Sequence, residues 1–106
     1  MVYVDNFYET GAGAFGRMKM SHMVADTTKE LLGMAKQLNI SAKWVQKQGS
    51  RQEHFDVCKM KRVKAITLGA IPITYRSLGE MVMKRVNNNT PLDASVAMKL
   101  DLIKGD

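Results

Sequence analysis

The sequence predicts a small α/β sandwich: a mixed four-stranded sheet with three helices, followed by a C-terminal helix. Three observations carry this. Met18, Met20, His22 and Val24 alternate with Lys19, Ser21, Met23 and Ala25, the period of two that marks a strand. Thr27-x-x-Glu30 and Ser77-x-x-Glu80 are capping boxes, each opening an apolar run with helical spacing. Short β-type runs at residues 2–4, 54–57 and 71–75 are interleaved with those helices. A chain of 106 residues has room for one compact domain. It divides into an α/β core at 1–89 and a helical tail at 90–106.

Taken in order, Val2-Tyr3-Val4 is a short strand ending at Asp5, and a glycine-rich loop covers residues 6–16. After the second strand, Leu31, Met34, Ala35 and Leu38 form one apolar helix stripe, and Asn39 is a left-handed stop. Residues 40–53 carry Trp44 and a loop tip at Gln48-Gly49-Ser50-Arg51. A third strand over 54–57 leads into a helix capped by Asp56, which runs to Leu68 and stops at Gly69. Pro72 puts the fourth strand, 71–75, at an edge. The helix after Ser77 ends in Asn87-Asn88-Asn89, and Thr90-Pro91 opens the last one, with Leu92, Val96, Leu100 and Ile103 as its stripe. The first two strands are expected to pair as a hairpin, and the later strand–helix–strand unit to run parallel.

Apolar residues at 45% and charged residues at 25% are the ordinary globular balance. The longest uncharged stretch, 65–75, falls well short of the roughly 20 apolar residues a membrane-spanning helix needs. Asp5 precedes any apolar run, so a secretory signal is not expected. Cys58 is the sole cysteine, which suits a reducing compartment and the role of a small buried hydrophobe. The expected location is the cytoplasm, that of the host cell for a phage-encoded chain.

The net charge is +6 and the pI about 9.6. Lys43, Lys47, Arg51, Lys59, Lys61, Arg62 and Lys64 concentrate the excess, against only Glu53 and Asp56 in the same stretch. Such a field favours an anionic small molecule of nucleotide type, or nucleic acid; it equally suits a solvated basic surface. Gly11-Ala12-Gly13-Ala14-Phe15-Gly16 spells G-x-G-x-x-G, but the segment after it has strand periodicity where a dinucleotide site needs a helix. A flexible loop is the better reading. The nine methionines fall mostly within predicted elements and read as core.

Polar residues gather at strand ends, where α/β folds place their ligands. Asp5, His22, Asp26, His54 and Asp56 are the candidates, although Asp26 and Asp56 have structural work as helix caps and His22 sits in an apolar register. Arg17, Lys61 and Arg62 would donate to an anion, and Trp44 or Tyr75 would offer a stacking surface. His54-x-x-x-Cys58 has helical metal spacing, but no second pair of ligands completes it, so neither metal nor cofactor is expected. There is no G-x-S-x-G elbow and no paired H-x-T signature; if the chain is an enzyme, His22 or His54 is its base.

The motifs Tyr3-Val4-Asp5, Gly16-Arg17, Ser21-His22-Met23-Val24-Ala25-Asp26, Glu30-Leu31, Trp44-Val45-Gln46, His54-Phe55-Asp56-Val57, Lys61-Arg62 and Leu68-Gly69-Ala70 resemble a small bacterial and phage family known as a domain of unknown function. The resemblance covers about residues 1–78. Phe55 stands where that family has tyrosine, and the glycine-rich loop and the tail after Asn87 depart from it. The resemblance implies that the His-Asp motifs and Lys61-Arg62 share one site. It further implies an accessory protein acting on host machinery, by sequestering or degrading a nucleotide signal of host defence. The basic stretch, the strand-end histidines and the missing catalytic signatures favour binding of a phosphate-bearing nucleotide-type ligand without turnover. The alternatives are a small phosphodiester or N-glycosidic hydrolase with a His-Asp site, and a nucleic-acid-binding module. Residues 90–106 are expected to join copies into a homo-oligomer, because their apolar stripe has no evident seat on the core.

Overall fold

The computed structural model describes residues 1–10, 14–15 and 18–96. Its backbone is organised around β3, Met18–Ala25, the segment of strict alternation. Strand β1, Val2–Val4, pairs antiparallel with it, Val2 opposite Ala25 and Val4 opposite Met23. On its other edge runs β4, Phe55–Cys58, also antiparallel, with Met23 opposite Phe55 and His22 opposite Asp56. Strand β5, Ile71–Pro72, lies parallel to β1. The order β4-β3-β1-β5 is the expected mixed four-stranded sheet, with Pro72 on an edge strand where its missing N–H is tolerated. Strand β2, Ala14–Phe15, folds back on the start of β3; the remainder of the G-x-G-x-x-G segment lies outside the described residues.

Helix α1, Thr28–Gln37, starts as the capping box predicts: the Thr27 hydroxyl accepts the Glu30 N–H and bonds the Glu30 carboxylate. It stops where Asn39 takes φ 59°. Helix α2, Lys59–Thr67, stops where Gly69 takes φ 111°, a conformation that costs glycine nothing. Helix α3 is Tyr75–Lys84.

Four local expectations need correcting. Asp56 does not cap α2, because pairing with β3 continues through Cys58 opposite Met20 and the helix begins only at Lys59. Asp26 is not a cap either; Thr27 fills that position, and Asp26 Oδ1 accepts the Leu92 N–H at 2.8 Å. The box at Ser77 is displaced, since Thr74 accepts the Ser77 N–H at 3.1 Å and α3 opens at Tyr75, shortening the strand before it. The apolar stripe of the tail has a seat for its first half: Leu92 is buried against Tyr3 and Val24, with Val96 packed beside them. Leu100 and Ile103 lie outside the described residues.

The sheet separates two cores. On one face Val2, Val4, Met23, Ala25, Phe55 and Val57 meet Leu31, Met34, Ala35 and Leu38 of α1 and its end, and Ala65 of α2. On the other, Tyr3 and Val24 meet Ile73 and Leu78, Met81 and Val82 of α3. One ten-residue helix covers only part of this second face. The part beside β3 and β4 is left as a cleft. Among the described residues, no helix is long and apolar enough to cross a membrane.

Candidate functional site

On a strand, residues two apart share a face. The register therefore puts His22 of β3 beside Asp56 of β4 on the half-open face, with His54, just before β4, on the same side. Its backbone is held in place by a reciprocal pair with Gln46, at 2.8 and 3.1 Å. The loop between them carries Lys47 and Gln52. Lys47 takes φ 53°, and both the N–H and the hydroxyl of Ser50 donate to its carbonyl.

Asp5, fully buried at the end of β1, organises the first histidine. Its Oδ1 accepts the backbone N–H of His22 at 2.8 Å and of Phe7 at 3.1 Å, and its Oδ2 receives His22 Nδ1 at 2.7 Å. From behind, Arg62 Nε donates to the Asp5 carbonyl at 2.6 Å while its guanidinium lies over the Tyr8 ring. With Asp5 as acceptor, Nδ1 carries the proton and Nε2 is left as the available nitrogen. The hydrogen bond to Asp5 raises the His22 pKa above the ordinary histidine value, against the opposing pull of partial burial; the charges of Asp5 and Asp56 add to the rise.

The second histidine follows the same scheme with a different acceptor. His54 Nδ1 donates to the Gln52 carbonyl at 2.7 Å, and Nε2 lies 3.4 Å from Asp56 Oδ1. The two imidazoles meet edge to face at 5.3 Å. His22, His54 and Asp56 each offer one ligand-type atom, and all three atoms lie within 4.8 Å of one another. Side-chain exposures of 32%, 19% and 44% leave all three reachable from solvent.

Asp56 stands next to His54, and the two histidines line a cleft with a volume of about 400 Å³. Val24, Leu78, Val82 and Met83 form its apolar floor and wall, Phe7 and Tyr75 an aromatic end, and Lys47 and Gln52 a polar rim. Phe7 packs on His22 at 4.7 Å and meets Tyr75 edge-on at 5.6 Å.

Of the residues singled out in the sequence, Asp5, His22, His54 and Asp56 come together here, and Tyr75 lines the same cleft. Arg62 reaches the group only through the Asp5 backbone. Lys61 donates to the Leu38 carbonyl on the opposite side of the sheet. Trp44 stands 61% exposed under Lys43, and neither it nor Asp26 lines the cleft. Arg17 lies outside the described residues. Phe7 and Gln52 were not singled out by the sequence, and Lys47 entered only as one of the seven bases of the basic stretch; tertiary folding carries all three to the cleft, and no local spacing signals them.

A family model described as "Protein of unknown function (DUF4031)" matches residues 2–85. The chain belongs to this family. The DUF4031 region extends beyond the expected 1–78 to take in the whole of α3, and so contains every wall of the cleft. No curated protein and no solved structure matches the chain.

Proposed function

We propose that this DUF4031 chain is a small hydrolase that cleaves a phosphoester of a nucleotide-type small molecule in the cleft between α3 and β3–β4. One observation carries the reading: two histidines that line the cleft both give their Nδ1 proton to a protein acceptor, which leaves Nε2 as the basic nitrogen, and that of His54 lies beside the Asp56 carboxylate. Hydrolysis needs a water deprotonated where it attacks, and this end of the cleft has the groups to do it. The water oxygen bonds to phosphorus, the ester oxygen leaves with the bonding pair, and a proton returns to it.

The rest of the cleft suits such a substrate. Phe7 and Tyr75 offer faces and edges for a planar base, the aliphatic wall takes its apolar surface, and Lys47 is the cation at the rim. Binding without turnover has less support, because two of the three donors it would use, Lys61 and Arg62, are engaged by backbone carbonyls, and the third, Arg17, lies outside the described residues. A phage or bacterial accessory protein built this way would remove a nucleotide signal by cutting it.

Mono-, di- and cyclic nucleotides are incubated with the protein, which is then denatured and the recovered ligand chromatographed. Cleaved product is the expected result. Ligand returned intact after measurable binding would make the protein a sponge, and binding no tighter than about millimolar across the panel would overturn both readings.

A further inference from the structure

We propose that His22, His54 and Asp56 hold one divalent transition-metal ion of the zinc class, with Asp5 and the Gln52 carbonyl as the groups that orient the two imidazoles. The inference deepens the hydrolase reading, because a bound ion would be what acidifies the attacking water. It rests on the geometry of the cleft and is tested apart from turnover.

Ligating imidazoles characteristically donate their other N–H to a carboxylate or a backbone carbonyl, which fixes ring and tautomer. Here one of each is present: the Asp5 carboxylate at 2.7 Å from His22 and the Gln52 carbonyl at 2.7 Å from His54. Each Nδ1 is thereby committed, which leaves Nε2 as the ligating nitrogen of each ring, that of His54 already facing the Asp56 carboxylate. Tetrahedral ligation at about 2.0–2.2 Å separates neighbouring ligand atoms by roughly 3.3–3.6 Å. His54 Nε2 and Asp56 Oδ1, at 3.4 Å, already stand at that spacing. The full set lies within 4.8 Å, and the Asp56 side chain, the most exposed of the three, has room to adjust toward the ion.

The donors also stand on rigid supports. His22 and Asp56 are opposite one another on paired strands, and His54 is held by its backbone bridge to Gln46. Two imidazoles and one carboxylate form a borderline donor set that favours zinc, cobalt or iron(II) over magnesium or calcium. Three protein ligands leave a position open to the cleft, as a reactive metal centre needs.

An ordinary ion pair between His54 and Asp56 is the competing account, and metal titration separates the two. The chain is stripped with a chelator and titrated with Zn²⁺ by calorimetry, and with Co²⁺ by its visible absorption. One ion per chain, bound at micromolar or tighter, with the intense d–d bands of a low-coordinate Co²⁺ site, is the expected result. His22→Ala, His54→Ala and Asp56→Asn should each weaken binding by more than Asp5→Asn, for which loss of ring orientation costs about 10- to 100-fold. Cys58→Ser, on the same strand but outside the donor set, should bind as the parent does. Circular dichroism confirms that each variant is folded, and Asp56→Asn, at an exposed position, keeps the test decisive if a histidine variant is not. Binding no tighter than millimolar, or unchanged in folded Asp56→Asn, would overturn the proposal. Zinc bound without turnover upholds the metal site and sinks the hydrolase. Turnover persisting in chelated, metal-free protein upholds the hydrolase and overturns the ion's part in it, while the titration alone decides whether the ion binds.

Discussion

The two faces of this sheet are made by the same strands and end in opposite chemistry. On one, alternate residues of β1, β3 and β4 are apolar save Ser21, whose hydroxyl accepts the Tyr8 N–H, and helices α1 and α2 cover them. On the other, the alternation begins as Tyr3 and Val24 under α3 and continues, past the end of that cover, as His22 and Asp56. Burial in the first position would have to be apolar; partial access to water in the second lets imidazole and carboxylate survive on strands that could otherwise be core. The site is thus a consequence of one helix too few, and of a buried aspartate supplied from the neighbouring strand.

The sharpest way to break this comparison is to mutate adjacent residues of β4. Phe55 is fully buried on the sealed face and Asp56 points to the open one. Phe55→Ala should lose about 3–5 kcal/mol in denaturant unfolding, the usual range for emptying an aromatic site in a core. Asp56→Asn should leave the unfolding midpoint nearly unchanged. Equal losses at both positions would mean the two faces are not energetically distinct.

A middle-sized effect is expected at Arg85, which is 4% exposed and joins the two sides of the open face's rim. Its Nε donates to the Arg51 carbonyl at 2.9 Å and an η nitrogen to the Ala25 carbonyl at 2.7 Å. The carboxylate of buried Glu53, which accepts from Thr28 and Gly49, attracts its charge. Arg85→Met should cost about 1–3 kcal/mol by leaving buried acceptors unpaired. It should also loosen the loop that bears Lys47 and Gln52, read as faster amide exchange there with β3 unaffected.

The smallest effect concerns protons. In metal-free protein the His22 pKa is raised by its bond to Asp5, so the folded state holds that proton more tightly than the unfolded chain does. The stabilisation is full below the ordinary histidine pKa of about 6.5 and is lost as pH rises through the elevated folded value. Unfolding free energy measured from pH 5.5 to 9 should therefore fall across that window, and the fall should be shallower in Asp5→Asn. A slope identical in the variant would count against the pairing as the cause.

Much of this was legible in the sequence wherever the signal is local. The alternation over 18–25, the Thr27 box, and the Asn39 and Gly69 stops each reside in a few neighbouring residues, and each is present in the fold. Competing local signals failed: Thr74 and Ser77 can both cap, and only the packing of α3 decides for Thr74. The site was half readable. His54 was weighed against Cys58 at a helical spacing, but the segment is extended, so the relevant neighbour is Asp56, two residues along. Nothing near Asp5 in the sequence announces His22; strand pairing alone joins them. The basic stretch was readable only in part: Lys47 lines the cleft, whereas Lys61 and Arg62, read as donors to a ligand, donate to backbone carbonyls.

The register of β3 against β4 links the integrity of the site to that of the core. Met23 faces Phe55 and Ser21 faces Val57 on the sealed side, while His22 faces Asp56 on the open side. Sliding β4 by a single residue would drive the Asp56 carboxylate into the apolar layer and turn Phe55 out to water. Misregistered chains are therefore rejected by hydrophobic packing before any ligand is met, so that the core acts as a proofreader for the site.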